Sequence, residues 1–245
     1  MTDLKSHLSY LKLPYIKENC ESVAATAARK KWTHIQFLSE LIKQESGLRR
    51  DRMIQRRISM AKFPVIKTMD HFNWSWPKKI NRLQIENLFH LKFIEKKSNV
   101  IFIGSVGVGK THIATALGYQ ACLKTNTVLF TSAIDAVNNL VAAQRAGLLK
   151  QELKKYFKPN LLYLDELGYL PIDKTGADLL FQIISQRYEQ GSIIITTNRV
   201  FQEWPKIFNN DSTLTSALLD RLLHHTEAVV IEGDSYRMRE EKKQL

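Results

Sequence analysis

Five short apolar runs, separated by segments with a helical pattern, constrain the fold of this 245-residue chain more than any other feature. They span residues 100–103, 128–131, 161–164, 193–197 and 229–231. Helices are predicted near residues 81–97, 110–125, 132–156, 175–190 and 214–223. Because uninterrupted apolar runs between helices are typical of strands buried on both faces, we expect an α/β domain with a five-stranded parallel sheet covered by helices.

The N-terminal quarter differs from the rest of the chain in charge. Lys and Arg number 36 against 24 Asp and Glu, a net charge of +12, and residues 1–62 carry more than half of the excess. Apolar spacing there predicts three helices, the second over residues 18–31 and the third starting with a Thr33–Gln36 capping box. We therefore expect a helical N-terminal domain over residues 1–62, a connector over 63–98 and the α/β domain over 99–245.

The third helix combines an apolar stripe of Ile35, Leu38 and Ile42 with a run of arginines. The arginines are Arg49, Arg50, Arg52, Arg56 and Arg57. At 3.6 residues per turn their side chains fall on one broad face. Clustered positive charge is typical of proteins that bind a polyanion, so these residues are candidates for DNA phosphate contacts. An ordinary solvated helix surface is the alternative.

The connector contains four aromatic side chains between Pro64 and Pro77. They are His71, Phe72, Trp74 and Trp76. Such side chains can stack on nucleic-acid bases or pack against a neighbouring domain. We favour packing, because large aromatic side chains bury much apolar surface.

Residues 104–111 match the phosphate-loop pattern G-x-x-x-x-G-K-[ST] at every fixed position, after an apolar run and at the start of a helix. Its glycines let the backbone curve around a phosphate, whereas a glycine-rich turn without a ligand is the alternative. Lys110 is expected to reach the β- and γ-phosphates of ATP, and the Thr111 hydroxyl to bind Mg²⁺. The predicted nucleotide-binding residues are Gly104, Ser105, Val106, Gly107, Val108, Gly109, Lys110, Thr111 and His112.

Polar residues also follow the third and fourth apolar runs. Asp165 and Glu166 come after the third run, at the strand end where open α/β sheets bind ligands. Asp165 is predicted to bind Mg²⁺, and Glu166 to polarise the attacking water as a general base. Asn198 follows the fourth run and is predicted to lie beside the γ-phosphate.

Two arginines near the end of the chain are further candidates. Arg221 is placed to act as an arginine finger on the ATP of a neighbouring subunit, and a salt bridge with Asp220 or Glu227 is the alternative. Arg237, after the last apolar run, is a candidate second phosphate sensor.

Several other classes of protein are disfavoured. No apolar run approaches the length of a membrane span, and the first 25 residues carry charges throughout, so neither a membrane nor a secretory signal is expected. Cys20 and Cys122 are far apart, which argues against a disulfide framework and favours the cytoplasm. His224 and His225 are adjacent and cannot share one helix face, which argues against a metal pair.

Longer segments resemble the IstB-like ATPases of bacterial insertion sequences, AAA+ proteins related to the DnaC helicase loaders and DnaA initiators. Besides the phosphate loop they are Asp165-Glu-Leu-Gly-Tyr-Leu-Pro171, Thr197-Asn-Arg199, Glu203-Trp204, Leu219-Asp-Arg-Leu-Leu-His-His225 and Asp234-Ser-Tyr-Arg237. The resemblance covers essentially the whole chain, including the helical N-terminal domain. It implies an AAA+ P-loop core without a full C-terminal lid, since only about 14 residues follow the last apolar run.

The resemblance also implies a function. Such proteins bind ATP, multimerise on double-stranded DNA with little sequence preference, and deliver it to a partner transposase. It assigns Lys110 and Thr111 to ATP–Mg²⁺, Asp165 and Glu166 to the Walker B pair, Asn198 to sensor 1 and Arg221 to the finger of a homo-oligomer with ATP at its subunit interfaces. Two alternatives stay open. One is a DnaC-like helicase loader that uses residues 1–62 to grip a helicase, and the other is an ATP-gated scaffold with negligible turnover, against which Glu166 argues.

Overall fold

The computed structural model describes residues 2–236, and Arg237 lies outside this range. The described chain falls into two compact units, one ending at Arg56 and the other beginning at Arg57. Between residues 2 and 236, no helix is long and apolar enough to cross a membrane.

The elements alternate between helix and strand only in the second unit. The helices are α1 (Thr2–Tyr10), α2 (Pro14–Lys30), α3 (His34–Ala61), α4 (Arg82–Leu88), α5 (Lys92–Glu95), α6 (Lys110–Leu123), α7 (Ala133–Arg145), α8 (Leu149–Phe157), α9 (Lys174–Arg187), α10 (Trp204–Ile207) and α11 (Ser212–Leu223). The strands are β1 (Asn99–Ile103), β2 (Val128–Ser132), β3 (Leu161–Leu167), β4 (Ser192–Thr197) and β5 (Thr226–Val230). Short 3₁₀ helices cover Met69–His71 and Phe201–Glu203.

In the first unit, a small apolar core lies between α1, α2 and α3. Leu8, Ile16 and Leu41 are its buried side chains. Glu45 is buried beside them, and its carboxylate accepts a hydrogen bond from the backbone N–H of Ile16 at 3.2 Å. This bond satisfies one of the N–H groups that the first turn of α2 leaves without a helical partner.

Local sequence signals set the starts of α2 and α3. The backbone N–H of Thr33 donates to Oε1 of Gln36 at 2.8 Å, and the N–H of Gln36 donates to Oγ1 of Thr33 at 3.2 Å, which confirms the predicted capping box. Helix α2 begins at Pro14 instead of the predicted residue 18. Proline suits the first helical position because its φ is already fixed near the helical value.

The apolar stripe predicted on α3 faces outward. Ile35, Leu38 and Ile42 are 72%, 53% and 50% exposed, respectively. The core contact is made instead by Phe37 and Leu41, which are four residues apart and therefore share another face of the helix.

The second unit is built on a five-stranded parallel sheet with the order β2-β3-β4-β1-β5. Alternate residues of each strand point to opposite faces. Ile101, Leu162 and Ile195 belong to an apolar cluster with α7 to α11 on one face. On the other face, Phe102 and Tyr163 belong to a cluster with α4, α5, α6 and the end of α3. The structure thus confirms the predicted fold.

Several other predicted elements have different bounds. The helix expected over residues 81–97 is split into α4 and α5, and Leu91 between them is left-handed, with φ of 60°. The helical segment expected over 132–156 is split into α7 and α8 at Gly147, with φ of 71°. A left-handed residue cannot continue an α-helix, which explains both breaks. Strand β3 runs to Leu167, three residues beyond its predicted end.

Candidate nucleotide site

The phosphate loop leaves the carboxyl end of β1, which is buried between β4 and β5. A β-carbon on Gly104 would lie 2.1 Å from the carbonyl oxygen of Ile231. Gly107 and Gly109 have φ of 79° and 100°, a region that glycine adopts readily. The loop therefore needs its glycines, one for close approach and two for backbone conformation.

Lys110 begins α6, so the N–H groups at the start of this helix point toward the loop. Its Nζ donates hydrogen bonds to the carbonyl oxygens of Gly104 and Ser105, both at 2.7 Å. The ammonium group is thereby held over the loop. Together with the positive end of the helix dipole, it makes this loop favourable for a phosphate.

Asp165 lies at the centre of a hydroxyl network. Its side chain is 6% exposed, and Oδ1 accepts hydrogen bonds from Thr111 at 3.1 Å, Tyr163 at 2.8 Å and Thr196 at 2.5 Å. Burial, followed by the nearby charge of Asp165, raises the pKa of Tyr163 well above its usual value, so its hydroxyl stays protonated and donates. Sequence analysis missed Tyr163 and Thr196, although the two threonines at the end of an otherwise apolar β4 were a visible signal.

This network fits a magnesium ion. The Thr111 hydroxyl and the Asp165 carboxylate are hard oxygen donors, which Mg²⁺ prefers, and they meet at the mouth of the phosphate loop. Hydrogen bonds from Tyr163 and Thr196 fix the orientation of the carboxylate, as the neighbours of metal ligands commonly do. Thr111 and Asp165 would therefore hold the ion.

A β-bulge separates the environments of the two adjacent carboxylates. The pairing of β3 with β4 shifts register between Leu164 and Leu167. Glu166 within the bulge is left-handed, with φ of 58°, and its backbone N–H donates to Oγ1 of Thr196 at 2.9 Å. Bulges re-aim side chains. Asp165 is consequently buried, whereas Glu166 is exposed at the carboxyl edge of the sheet.

Six predicted site residues line one small cavity of about 50 Å³ at this edge. They are Val106, Gly107, Lys110, Thr111, Glu166 and Asn198, joined by Tyr169, Thr196 and Thr197. The strand order explains the convergence, since β4 lies between β1 and β3 and ends beside both. The structure therefore brings the candidate phosphate, magnesium, base and sensor residues together.

A larger cavity of about 660 Å³ lies between the phosphate loop and the connector, a volume suited to a small-molecule ligand. The connector contributes residues 64–67, 71–73, 76 and 77 to its walls, and the loop contributes 107–112. Sequence analysis did not predict that the connector lines this cavity. Its prediction of aromatic packing is confirmed, because Phe72 and Trp74 pack against the apolar cluster around α6.

His112 ties α6 to the connector. Its Nε2 lies 2.8 Å from the carbonyl oxygen of Thr68, and its ring meets the Phe72 ring edge-on at 5.4 Å. Burial lowers the pKa of His112, which favours the neutral imidazole. The residue lines the larger cavity, but these contacts show that it also positions the cavity wall.

The segment after β5 closes one end of the larger cavity. The backbone N–H of Tyr236 donates to the carbonyl oxygen of Gly107 at 3.0 Å. The Ser105 hydroxyl donates to the carbonyl oxygen of Gly233 at 2.9 Å. Trp76 donates to the Asp234 carbonyl at 3.0 Å and meets the Tyr236 ring edge-on at 5.4 Å. The phosphate loop, the connector and the chain after β5 thus form one framework.

Arg221 lies at the opposite edge of the sheet. The carbonyl oxygen of Leu222 accepts from the Asn99 amide at 3.1 Å, which places the end of α11 beside the amino end of β1. Arg221 donates to the Ala217 carbonyl at 2.8 Å and covers the Phe181 ring at 5.1 Å. Within residues 2–236 it makes no salt bridge with Asp220 or Glu227, the predicted alternative.

The five arginines of α3 have three different environments. Arg49, Arg50, Arg52 and Arg56 are exposed, and Nη2 of Arg49 also donates to the carbonyl of Lys12, just after α1, at 3.0 Å. Arg57, which belongs to the second unit, is half-buried, and its buried Nη1 has no hydrogen-bond partner among the described residues. Four of the five candidate DNA-contact residues are therefore exposed, although the Arg49 guanidinium is also hydrogen-bonded within its own unit, and Arg57 is half-buried.

Two solved structures are similar in fold. The DnaC helicase loader matches with a TM-score of 0.56 and 25% identity, over 67% of this chain and 96% of that one. The replication initiator DnaA bound to AMPPCP and single-stranded DNA also matches with a TM-score of 0.56 and 25% identity, over 73% of this chain and 54% of that one. The second unit is accordingly an AAA+ P-loop NTPase fold.

Sequence comparison is more specific. A protein of Geobacillus stearothermophilus named "Insertion sequence IS5376 putative ATP-binding protein" is 38% identical over 234 residues, which are 96% of this chain and 93% of that protein. The sequence profile of the family described as "IstB-like ATP binding protein" matches residues 6–244. Because this profile matches nearly its whole length, the chain belongs to the family of IstB-like ATP-binding proteins.

Proposed function

We propose that this protein is a DNA-stimulated ATPase of the cytoplasm that multimerises on double-stranded target DNA and recruits a partner transposase. The observation that carries the ATPase part is the convergence of Lys110, Thr111, Glu166 and Asn198 on one cavity beside the buried Asp165. The insertion-sequence relative and the family support the transposition context.

Each candidate catalytic residue has a role in the proposed hydrolysis. The N–H groups of the phosphate loop and Lys110 bind the triphosphate of ATP. Mg²⁺, held by Thr111 and Asp165, would neutralise charge on the phosphate oxygens. Glu166, exposed at the bulge, accepts the proton of the attacking water, and the Asn198 amide orients that water against the γ-phosphate.

The position of Arg221 favours action on another copy of the chain. It lies at the amino edge of the sheet, whereas the phosphate loop leaves the carboxyl edge. A guanidinium group at that edge cannot reach its own γ-phosphate without a large rearrangement. ATP bound between Lys110 of one subunit and Arg221 of the next would make assembly depend on nucleotide, with the site closed by the neighbour. Arg237, outside the described residues, stays a candidate phosphate sensor.

Charge near the N-terminus supports the DNA part. Residues 1–62 hold more than half of the net charge of +12, and Arg50, Arg52 and Arg56 are exposed on α3. Phosphate contacts carry no sequence information, so binding would show little sequence preference and a strong dependence on salt. The DnaA initiator of similar fold was solved with a nucleotide analogue and single-stranded DNA, which supports the more general proposal that this fold binds a nucleotide together with DNA.

A helicase loader is the second candidate function. The similarity to the DnaC helicase loader favours it, and so does the exposed stripe of Ile35, Leu38 and Ile42, since apolar side chains suit a protein partner more than a phosphate backbone.

Phosphate release from ATP by the full chain, with and without random-sequence duplex DNA, tests the proposal. We expect duplex DNA to stimulate hydrolysis and Lys110→Ala to abolish it. The same protein, mixed with ATP and DNA, should retain the transposase encoded with it and not the replicative helicase of its host. Unstimulated hydrolysis together with retention of the helicase would favour the loader.

A further inference from the structure

Three potential metal ligands meet at the amino edge of the sheet, away from the nucleotide site. Glu189, His224 and His225 are all exposed, and one ligand atom of each lies within 4.8 Å of the other two. Nε2 of His225 is 3.7 Å from Oε1 of Glu189. The two imidazole rings lie with their centroids 4.0 Å apart.

The adjacent histidines lie at the end of α11. His224 caps the helix with helical backbone angles, and its N–H donates to the Asp220 carbonyl. The two rings nevertheless lie side by side, so the expectation that adjacent histidines cannot share a site does not hold here. The carbonyl oxygen of His225 accepts from the backbone N–H of Asn99 at 2.7 Å, which anchors the pair to the start of β1. Glu189 is held in the turn between α9 and β4, where its φ is 57°.

A fourth side chain orients one of the ligands. The Tyr188 hydroxyl lies 2.8 Å from Nδ1 of His224. With Nδ1–H donating to the Tyr188 oxygen, the lone pair of Nε2 is available to a metal ion. Metal-binding histidines generally use their second nitrogen in such a hydrogen bond, which fixes the tautomer and the ring orientation.

We propose that Glu189, His224 and His225 form a binding site for a divalent transition-metal ion, Zn²⁺ in the cell. Two imidazoles and one carboxylate are ligands that Zn²⁺ accepts, with bonds near 2.0–2.1 Å and a water in the fourth tetrahedral position. Such bonds put ligand atoms about 3.3 Å apart. The observed separation of 3.7 Å between His225 and Glu189 is close to this value, and rotation of exposed side chains supplies the rest.

The site differs from the magnesium site in both place and chemistry. It lies at the edge of the sheet where the strands begin, and two of its three ligands are nitrogens, which Mg²⁺ does not prefer. Bound metal would join the end of α11 to the turn before β4. Arg221 lies one helical turn before His224, so the metal would also stiffen the part of α11 that carries this arginine.

The test is metal binding by the full chain, prepared without a histidine tag and stripped with a chelator. We expect calorimetric titration with ZnCl₂ to show one ion per chain, and CoCl₂ to give the visible absorption of a tetrahedral site that ZnCl₂ bleaches and MgCl₂ does not. Glu189→Gln and His225→Asn should each weaken Zn²⁺ binding at least tenfold, and Tyr188→Phe should weaken it less.

His7 supplies a matched control. It is an exposed histidine whose Nε2 lies 2.9 Å from Oδ1 of Asp3, so it offers two ligands where the proposed site has three. His7→Asn should leave Zn²⁺ binding unchanged. Zn²⁺ affinity that is equal in the wild type and in His225→Asn would overturn the proposal, as would the absence of a cobalt spectrum, which would leave His225 and Glu189 an ordinary ion pair. Neither result depends on ATP or DNA, so the proposed function can stand or fall separately.

Discussion

The carboxyl edge of the sheet and the arginine-bearing surface of α3 differ in how their charged side chains are held. Those at the sheet edge are fixed by hydrogen bonds, whereas those on α3 are exposed to solvent. At the sheet edge, Asp165 is 6% exposed and accepts hydrogen bonds from three hydroxyl groups. Lys110 donates hydrogen bonds to two carbonyl oxygens there. On α3, Arg50, Arg52 and Arg56 are simply exposed. Phosphoryl transfer needs groups fixed to a fraction of an ångström, whereas attraction to a DNA backbone needs mainly charge.

The glycines of the two regions show the same contrast. Gly104 approaches a carbonyl oxygen so closely that no side chain fits, whereas a β-carbon added to Gly47 in α3 would have nothing within 4 Å. The sheet edge is therefore intolerant of change, and the helical surface has room for it. Four predictions test this difference.

Glu166→Gln should have the largest effect, because it removes the proposed base from the rigid region while keeping its shape. We expect hydrolysis to fall by a factor on the order of 100 to 10,000, since general base catalysis contributes that much. ATP affinity, measured by titration with a fluorescent ATP analogue, should stay near the wild-type value. Loss of ATP binding in this variant would show that Glu166 has a structural role instead.

Arg221→Ala should lower DNA-stimulated hydrolysis about 1,000-fold, the effect typical of an arginine finger. The residue belongs to the rigid second unit but lies at its far edge, so single-chain ATP binding should survive. Arg145→Ala, which removes an exposed charge from the end of α7, serves as the control and should leave turnover unchanged. Normal turnover in Arg221→Ala would exclude the finger.

Replacing Gly104 and Gly47 by alanine should change the stability of the protein in opposite directions. Gly104→Ala should destabilise the protein by about 3 kcal/mol, because the new methyl group overlaps backbone that cannot move aside. Gly47→Ala should stabilise it by up to about 1 kcal/mol through helix propensity alone. Thermal unfolding followed by circular dichroism measures both shifts. If both variants shifted the unfolding temperature in the same direction, the proposed difference between the sheet edge and α3 would be wrong.

The smallest effect is expected from the arginine face. Changing Arg50, Arg52 and Arg56 together to alanine should weaken duplex binding in 50 mM salt and lower the slope of log affinity against log salt by up to about 3, one for each lost phosphate contact. Fluorescence anisotropy at several salt concentrations gives the slope. A control that removes the same charge from α2, with Lys17, Arg29 and Lys30 changed to alanine, should keep the wild-type slope. Equal slopes in the two triple variants would remove α3 from the DNA contact.

Sequence analysis located the elements of the site where a function imposes a local pattern. The phosphate loop needs glycines and Lys110 at fixed spacing, and buried parallel strands need uninterrupted apolar runs. Both features can therefore be recognised from the amino-acid sequence alone. Tyr163 and Thr196 were missed because a hydroxyl that supports Asp165 can come from its own strand, as with Tyr163, or from a neighbouring strand, as with Thr196.

The remaining wrong predictions concern features that depend on contacts between elements far apart in the sequence. The outward stripe of Ile35, Leu38 and Ile42 follows from which side of α3 meets α1 and α2, and the spacing of apolar residues does not contain that information. The histidine pair lies beside Glu189 because the end of α11 packs against the turn between α9 and β4, a contact between segments far apart in the sequence. Gly147 did signal the break between α7 and α8, since glycine is the common residue at a helix end.

Mixing two inactive variants tests the central claim most directly. Lys110→Ala lacks the phosphate-binding cation but keeps Arg221, and Arg221→Ala has an intact phosphate loop but no finger. If a second copy of the chain completes the ATP site, some interfaces in the mixture join the intact phosphate loop of one variant to the intact Arg221 of the other. Each of these interfaces contains one complete site. Phosphate release from the mixture with ATP and duplex DNA should then rise well above the sum of the separate variants. A rate equal to that sum at every mixing ratio would contradict the account.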